Sequence, residues 1–177
     1  VLHGLNQLFQ TNLTQKQLCE IGVQIGADVP FCICGGTMLA TRIGENLSPL
    51  PALPPCYIVI CKPSVSVSTQ EAYQKADNCI ILHRPDTQIL CNALKEQNLS
   101  AVSQNMKNVF QEAMALEDVH IITELMIQNN ALGACMSGSG SAVFGIFETE
   151  QKALFCSNIL KQTFHHVFIC KPTKHGV

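Results

Sequence analysis

Charge is scarce in this chain. Asp, Glu, Lys and Arg make up 14% of its 177 residues, and the formal net charge is −2. A nucleic-acid surface needs a clustered basic excess; the scattered lysines and arginines supply neither that nor a polybasic membrane patch. Long apolar runs are missing as well. None approaches the roughly 18 residues of a membrane span, and the opening residues lack the basic stretch and apolar core of a signal peptide. No Cys-x-x-Cys pair occurs, and Cys32-x-Cys34 has no second pair at zinc-site spacing, so no metal site is expected. Internal repeats and low-complexity stretches are absent. So is a Walker loop: no Gly-Lys-Ser/Thr follows the glycine-rich segment, and its spacing is not a dinucleotide fingerprint.

What is present describes a globular chain, 47% hydrophobic, long enough for one domain or for one domain plus part of another. Its ten cysteines are unusual for that class. Cys32, Cys34, Cys56, Cys61, Cys156 and Cys170 sit in apolar runs, where free Cys acts as a small hydrophobe. Reduced core thiols in a cytosolic protein are expected.

Helical spacing begins at once, with Val1, Leu2, Leu5, Leu8 and Phe9, so the chain is expected to open inside a helix and to be part of something longer. Thr14 and Gln17 form a capping box. Leu18, Ile21, Gly22 and Ile25 give a second helix that Gly26 stops at the C′ position. Asp28 follows within Gly26-Ala27-Asp28-Val29-Pro30-Phe31. The helix end and the apolar neighbours would make this carboxylate hold its proton more tightly, as a general base does. An Asp bonded to its own turn is the alternative. Phe31 to Gly36 ends in a Gly-Gly turn, Thr37 to Ile43 alternates like a strand, and prolines 49, 51, 54 and 55 mark a domain boundary.

Beyond the boundary, Tyr57–Cys61 reads as a strand. Ser68 and Glu71 box the start of a helix over Thr69–Lys75; Asp86 introduces one through Leu94; Ser100 caps one to about Ala115; Asp118 caps one through Gln128. Ala134–Ser137 and Ala142–Phe147 are strands, Glu150–Leu160 is a helix, and His166–Cys170 is a last strand. Without the extra helices this is β-α-β-β-α-β, the split order of a ferredoxin-like α+β domain. The helices at 69–75, 100–115 and 150–160 are expected to cover its sheet. Between the middle strands lies Ser137-Gly138-Ser139-Gly140-Ser141, a tight turn or an anion cradle.

Gly-Ala-Asp-Val-Pro-Phe at 26–31 resembles the segment of the catalytic aspartate in the diphosphocytidyl-methylerythritol kinases, a branch of the GHMP small-molecule kinases. The resemblance continues in Gly35-Gly36, Arg42-Ile43-Gly44-Glu45, Lys62-Pro63 with Val67-Ser68-Thr69, and Met136-Ser137-Gly138-Ser139-Gly140-Ser141, the family's third motif. It implies a two-domain GHMP-kinase-like architecture: residues 1–52 as the tail of an N-terminal domain, and 56–177 as a complete ferredoxin-like C-terminal domain. It also implies an upstream lysine and phosphate loop, and a fragment inactive without them. The implied reaction is ATP- and Mg²⁺-dependent phosphorylation of a small-molecule alcohol, the tertiary hydroxyl of the cytidine-diphosphate-linked methylerythritol. The setting would be the cytoplasm, or the plastid stroma in a plant. Asp28 would orient the acceptor hydroxyl and take its proton, Thr69 would line the substrate pocket, and Gly138, Ser139 and Gly140 would buttress the phosphate loop. Two alternatives stay open, a sister kinase for homoserine or mevalonate and a non-catalytic ferredoxin-like binding module.

Overall fold

The computed structural model describes residues 1–173, so the last four positions of the expected second domain, 174–177, lie outside the described residues. The chain forms two compact units, Val1–Ala52 (with Thr173) and Leu53–Pro172, divided inside the proline-rich stretch.

Unit 1 opens with helices α1 (Leu2–Leu8) and α2 (Gln15–Ile25). The Thr14–Gln17 capping box forms in both directions: Thr14 N–H donates to Gln17 Oε1 at 2.9 Å, and Gln17 N–H donates to Thr14 Oγ1 at 3.3 Å. Gly26 caps α2 with φ 177°, an extended value open to any residue, so the expected left-handed stop is not used. A tight turn ends the helix instead, because Val29 N–H donates to Gly26 O and starts α3 (Val29–Cys34). The apolar run after Asp28 is therefore a short helix. Gly22 lets α3 press onto α2: a Cβ there would stand 2.9 Å from Val29 Cγ1. Leu18, Pro30 and Ile33 are buried in that contact. Gly35 and Gly36 (φ 64° and 72°) then turn the chain into β1 (Met38–Thr41), paired antiparallel with β2 (Asn46–Pro49).

Unit 2 holds an antiparallel sheet in the order β4-β5-β3-β6, from β3 (Tyr57–Lys62), β4 (Gly133–Met136), β5 (Val143–Phe147) and β6 (His166–Cys170). That is the order split βαβ units generate. Tyr57 faces Phe147 on one side of the central β3, and Lys62 faces His166 on the other. Two helices cover the sheet. α8 (Glu117–Gln128) contributes Val119, Ile122 and Met126, and α9 (Glu150–Leu160) contributes Ala153, Cys156 and Leu160, packed on Val59, Cys61, Val143 and Phe147.

Several local expectations change. α8 rather than the helix at 69–75 shares the main cover with α9, because its Val119, Ile122 and Met126 are spaced to bury one continuous stripe, whereas the 100–115 segment reaches the sheet at strand β4. α4 (Thr69–Asn78) packs on α7 (Val109–Met114) instead, with Tyr73 edge-on to Phe110 at 4.8 Å. The single helix expected from 100 to 115 is two, α6 (Leu99–Gln104) and α7, and their caps are Asn98 and Asn108 rather than Ser100. Ser68 makes no capping bond, and Glu71 faces Lys75 at 3.4 Å instead of reaching back. Asp86 does cap α5 (Thr87–Lys95), accepting from Ile89 N–H at 3.0 Å. Asp118 lies in the first turn of α8, whose cap position is Leu116. All ten cysteines are free; Cys56, Cys61 and Cys156 are buried as expected, and Cys91 and Cys135 are buried as well. Of the others expected in the core, Cys34 is half-buried and Cys32 and Cys170 are exposed, because an apolar run alternates faces once it becomes a helix or strand; Cys79, just past the end of α4, is exposed too.

Candidate active site

The serine-glycine loop at 137–141 is held from both sides within unit 2. On one side stands the chain after β3. Ser141 is fully buried and its hydroxyl donates to Val65 O. Lys62 Nζ donates to the same carbonyl and to Pro63 O, both at 2.8 Å. Lys62 is thus spent on fixing the path of residues 63–65. That path delivers Thr69, at the start of α4, to the loop: Thr69 Oγ1 lies 3.1 Å from Ser139 Oγ.

On the other side is the break between α6 and α7. Asn108 caps α7 through Phe110 N–H at 2.9 Å, and its amide NH₂ donates to Met136 O and Gly138 O, both at 2.8 Å. Gln111 Oε1 accepts from Met136 N–H at 2.7 Å. Each amide thus links α7 to the strand end that launches the loop. Within the loop, Ser137 N–H donates to Ala142 O at 2.8 Å and Gly140 N–H donates to Ser137 O at 3.0 Å. Glycine is required at 140, where φ is +98° and a Cβ would stand 2.6 Å from Met136 Sδ. The N–H groups of Gly138 and Ser139 carry no hydrogen bond among the described residues. Successive free N–H groups in a positive-φ turn are the elements of an anion-binding concavity.

Thr69, Gly138, Ser139 and Gly140 therefore come together. Asp28 belongs to unit 1, where it is exposed and precedes α3 without making a capping bond to it. The end of α2 and the start of α3 meet there with partial charges of opposite sign. This corrects the expected one-sided field of a helix C-terminus. The apolar cover is also partial, with Pro30 buried but Phe31 43% exposed. The neighbouring Arg42–Glu45 motif forms the β1–β2 turn, in which Glu45 accepts from Ile43 N–H at 3.1 Å.

Among the described residues, clefts open on unit 2. One, of about 410 Å³, is lined by Ser137 and Gly138 with Asn108, Phe110, Met136 and Phe144. A larger one, of about 500 Å³, is lined by His83, Lys107, Gln111, Glu112 and His120 and includes no loop residue. Glu112 accepts from Leu82 N–H at 2.6 Å and His83 N–H at 3.1 Å, and these bonds, the first above all, hold its carboxyl below the ordinary carboxylate range. That makes it a brace for the 82–83 segment, and the loop rather than the larger volume marks the candidate site. Among the described residues no cluster of three or more His, Cys, Asp or Glu is placed to hold a metal ion, and no helix is long and apolar enough to cross a membrane.

Asn108 and Gln111 escape a reading of the sequence. The one signal available is Asn108 itself, a poor helix-interior residue and a good cap in the middle of an expected helix.

The family model for the GHMP kinase C-terminal domain matches residues 90–166. The 4-diphosphocytidyl-2-C-methyl-D-erythritol kinase of Clostridioides difficile is 41% identical over 180 residues, covering 100% of this chain and 61% of its own. The enzyme of the same name from Alkaliphilus oremlandii is 49% identical over 157 residues, covering 86% of this chain and 53% of its own. The chain thus spans about three-fifths of the length of such relatives. In fold it is similar to a crystal structure of 4-(cytidine 5'-diphospho)-2C-methyl-D-erythritol kinase, with a TM-score of 0.76 at 24% identity, over 95% of this chain and 60% of that one. A homoserine kinase from Cytophaga hutchinsonii matches with a TM-score of 0.75 at 19% identity, over 97% and 62%.

Proposed function

The chain belongs to the GHMP kinase family, and on that footing we propose that it is the larger part of a kinase that phosphorylates the 2-hydroxyl of 4-diphosphocytidyl-2-C-methyl-D-erythritol from ATP, as a cytoplasmic step of isoprenoid synthesis. The observation that carries the reading is the Gly26–Phe31 segment, whose Asp28 is exposed on a helix–helix junction, in a chain that aligns along its length with kinases of that name.

Phosphoryl transfer asks for an acceptor oxygen in line with the γ-phosphorus and for compensation of spreading negative charge. In this reading Asp28 accepts a hydrogen bond from the substrate hydroxyl, aims it, and takes its proton as the new P–O bond forms and the bond from the γ-phosphorus to the bridging oxygen breaks, releasing ADP. An exposed carboxylate without an ion pair suits that task, and among the described residues none of the ion pairs involves Asp28. The free N–H groups of Gly138 and Ser139 fit an anionic partner, so we assign the loop to support of the nucleotide phosphates or of the loop that holds them. Thr69 touches Ser139, and we assign it to the substrate side of the same feature. Mg²⁺ would arrive on the nucleotide phosphates, as is usual for that ion. Residues 1–52 and 56–177 are proposed as the end of an N-terminal and the whole of a C-terminal GHMP domain.

The test is a phosphate-transfer assay on the complete gene product with the cytidine-linked sugar alcohol, homoserine and mevalonate as acceptors. Turnover of the first alone is expected, and turnover of either other alcohol in its place overturns the substrate assignment. Asp28→Asn is expected to lower kcat by roughly 100-fold or more, the scale of losing a general base, with an unchanged melting curve. Near wild-type turnover removes Asp28 from catalysis.

A further inference from the structure

Cys19, in the middle of α2, and Cys34, the last residue of α3, hold their sulfurs 3.6 Å apart. Both are half-buried, and among the described residues no other pair of cysteine sulfurs is in such contact. The approach follows from packing. Gly22 removes the Cβ that would keep α3 off α2, Ile33 is buried beside it, and the His3 ring nitrogen meets Ile33 O at 3.2 Å, fixing the end of α3. A disulfide needs its sulfurs at about 2.05 Å, so side-chain rotation has roughly 1.5 Å to close.

We infer that Cys19 and Cys34 are a reversible disulfide site, closed by exchange with a small-molecule disulfide. Cys34 enters first. Burial, then the contact with Cys34 and the nearby Glu20 charge, push the Cys19 thiol up to about 11, and exchange runs through the thiolate. The Cys34 thiolate attacks one sulfur of the small disulfide; that S–S bond breaks, a mixed disulfide forms and one small thiolate leaves. Cys19, already in contact, then attacks the Cys34 sulfur and expels the second. Two protein thiols are oxidised, one small disulfide is reduced to two thiols, and the two cysteine protons pass to the departing thiolates. The bond would close a loop that carries Asp28 between its ends. Any effect on phosphoryl transfer rests on the role proposed for Asp28; the cross-link does not.

The experiment treats the full-length native protein with glutathione disulfide, quenches with acid and an alkylating agent, and maps the peptides by mass spectrometry. The expected product is a 19–34 link, a loss of two hydrogens in mass, reversed by dithiothreitol. Cys32→Ser should keep the link, whereas Cys19→Ala and Cys34→Ser should each abolish it. The oxidised protein should melt roughly 5 °C higher, as a loop of this size closed by a disulfide does. Glutathione adducts on exposed Cys79 or Cys170 while 19 and 34 stay reduced, or a 32–34 link in place of 19–34, would overturn the inference.

Discussion

Replacing Asn108 tests whether the serine-glycine loop is held by α7 or merely lies beside it. The side chain makes two bonds from its NH₂ to the Met136 and Gly138 carbonyls and one from its oxygen to Phe110 N–H. At about 1 kcal/mol per net hydrogen bond and about 1 kcal/mol for a helix cap, Asn108→Ala should cost about 3 kcal/mol. With a urea slope of about 2 kcal/mol per M, the unfolding midpoint falls by roughly 1.5 M. Asn108→Asp separates the two contributions. It keeps the cap acceptor but removes both donors and sets a carboxylate against two carbonyl oxygens, so it should be as damaging as Asn108→Ala. The assay is urea unfolding of both variants beside wild type, followed by circular dichroism. If Asn108→Asp matches wild type while Asn108→Ala does not, only the cap matters and the clamp on the loop is refuted. A loss below about 0.5 kcal/mol in both would refute the whole estimate.

Ser157, fully buried on α9, has a hydroxyl with no hydrogen-bond partner among the described residues. Ser157→Ala should therefore raise stability by about 1 kcal/mol, since it removes an unpaired polar group and improves helix propensity; a lower melting temperature would contradict this. Alkaline pH supplies a further check. Burial above all pushes the thiols of Cys56, Cys135 and Cys156 from the usual 9.0 up to about 11, and that of Cys61 up to about 12. These groups ionise first in the unfolded chain, so their contribution is full below the unfolded value and is lost as pH rises through the folded one. The urea midpoint should hold to about pH 8 and drop by about pH 10.5; a flat profile between them would mean the thiols are not protected by the fold.

Sequence legibility tracked how local each cause is. The Thr14–Gln17 box, the Asp86 cap, the helix Glu150–Leu160 and the strands 57–62, 143–147 and 166–170 follow from neighbours a few residues apart. The Asp28 segment and the serine-glycine loop were visible as motifs for the same reason, each being a short contiguous word.

Partners distant in sequence were decided by the folded chain alone. Asn108 becomes a clamp only because the sheet order brings Met136 and Gly138, about thirty residues away, to the end of α7. The 3.6 Å meeting of Cys19 and Cys34 likewise depends on how closely two helices pack. The residues by themselves set propensity, period and motif; which side chain meets which carbonyl is fixed by tertiary packing, since hydrogen bonds act over about 3 Å and only the folded chain brings distant groups that near.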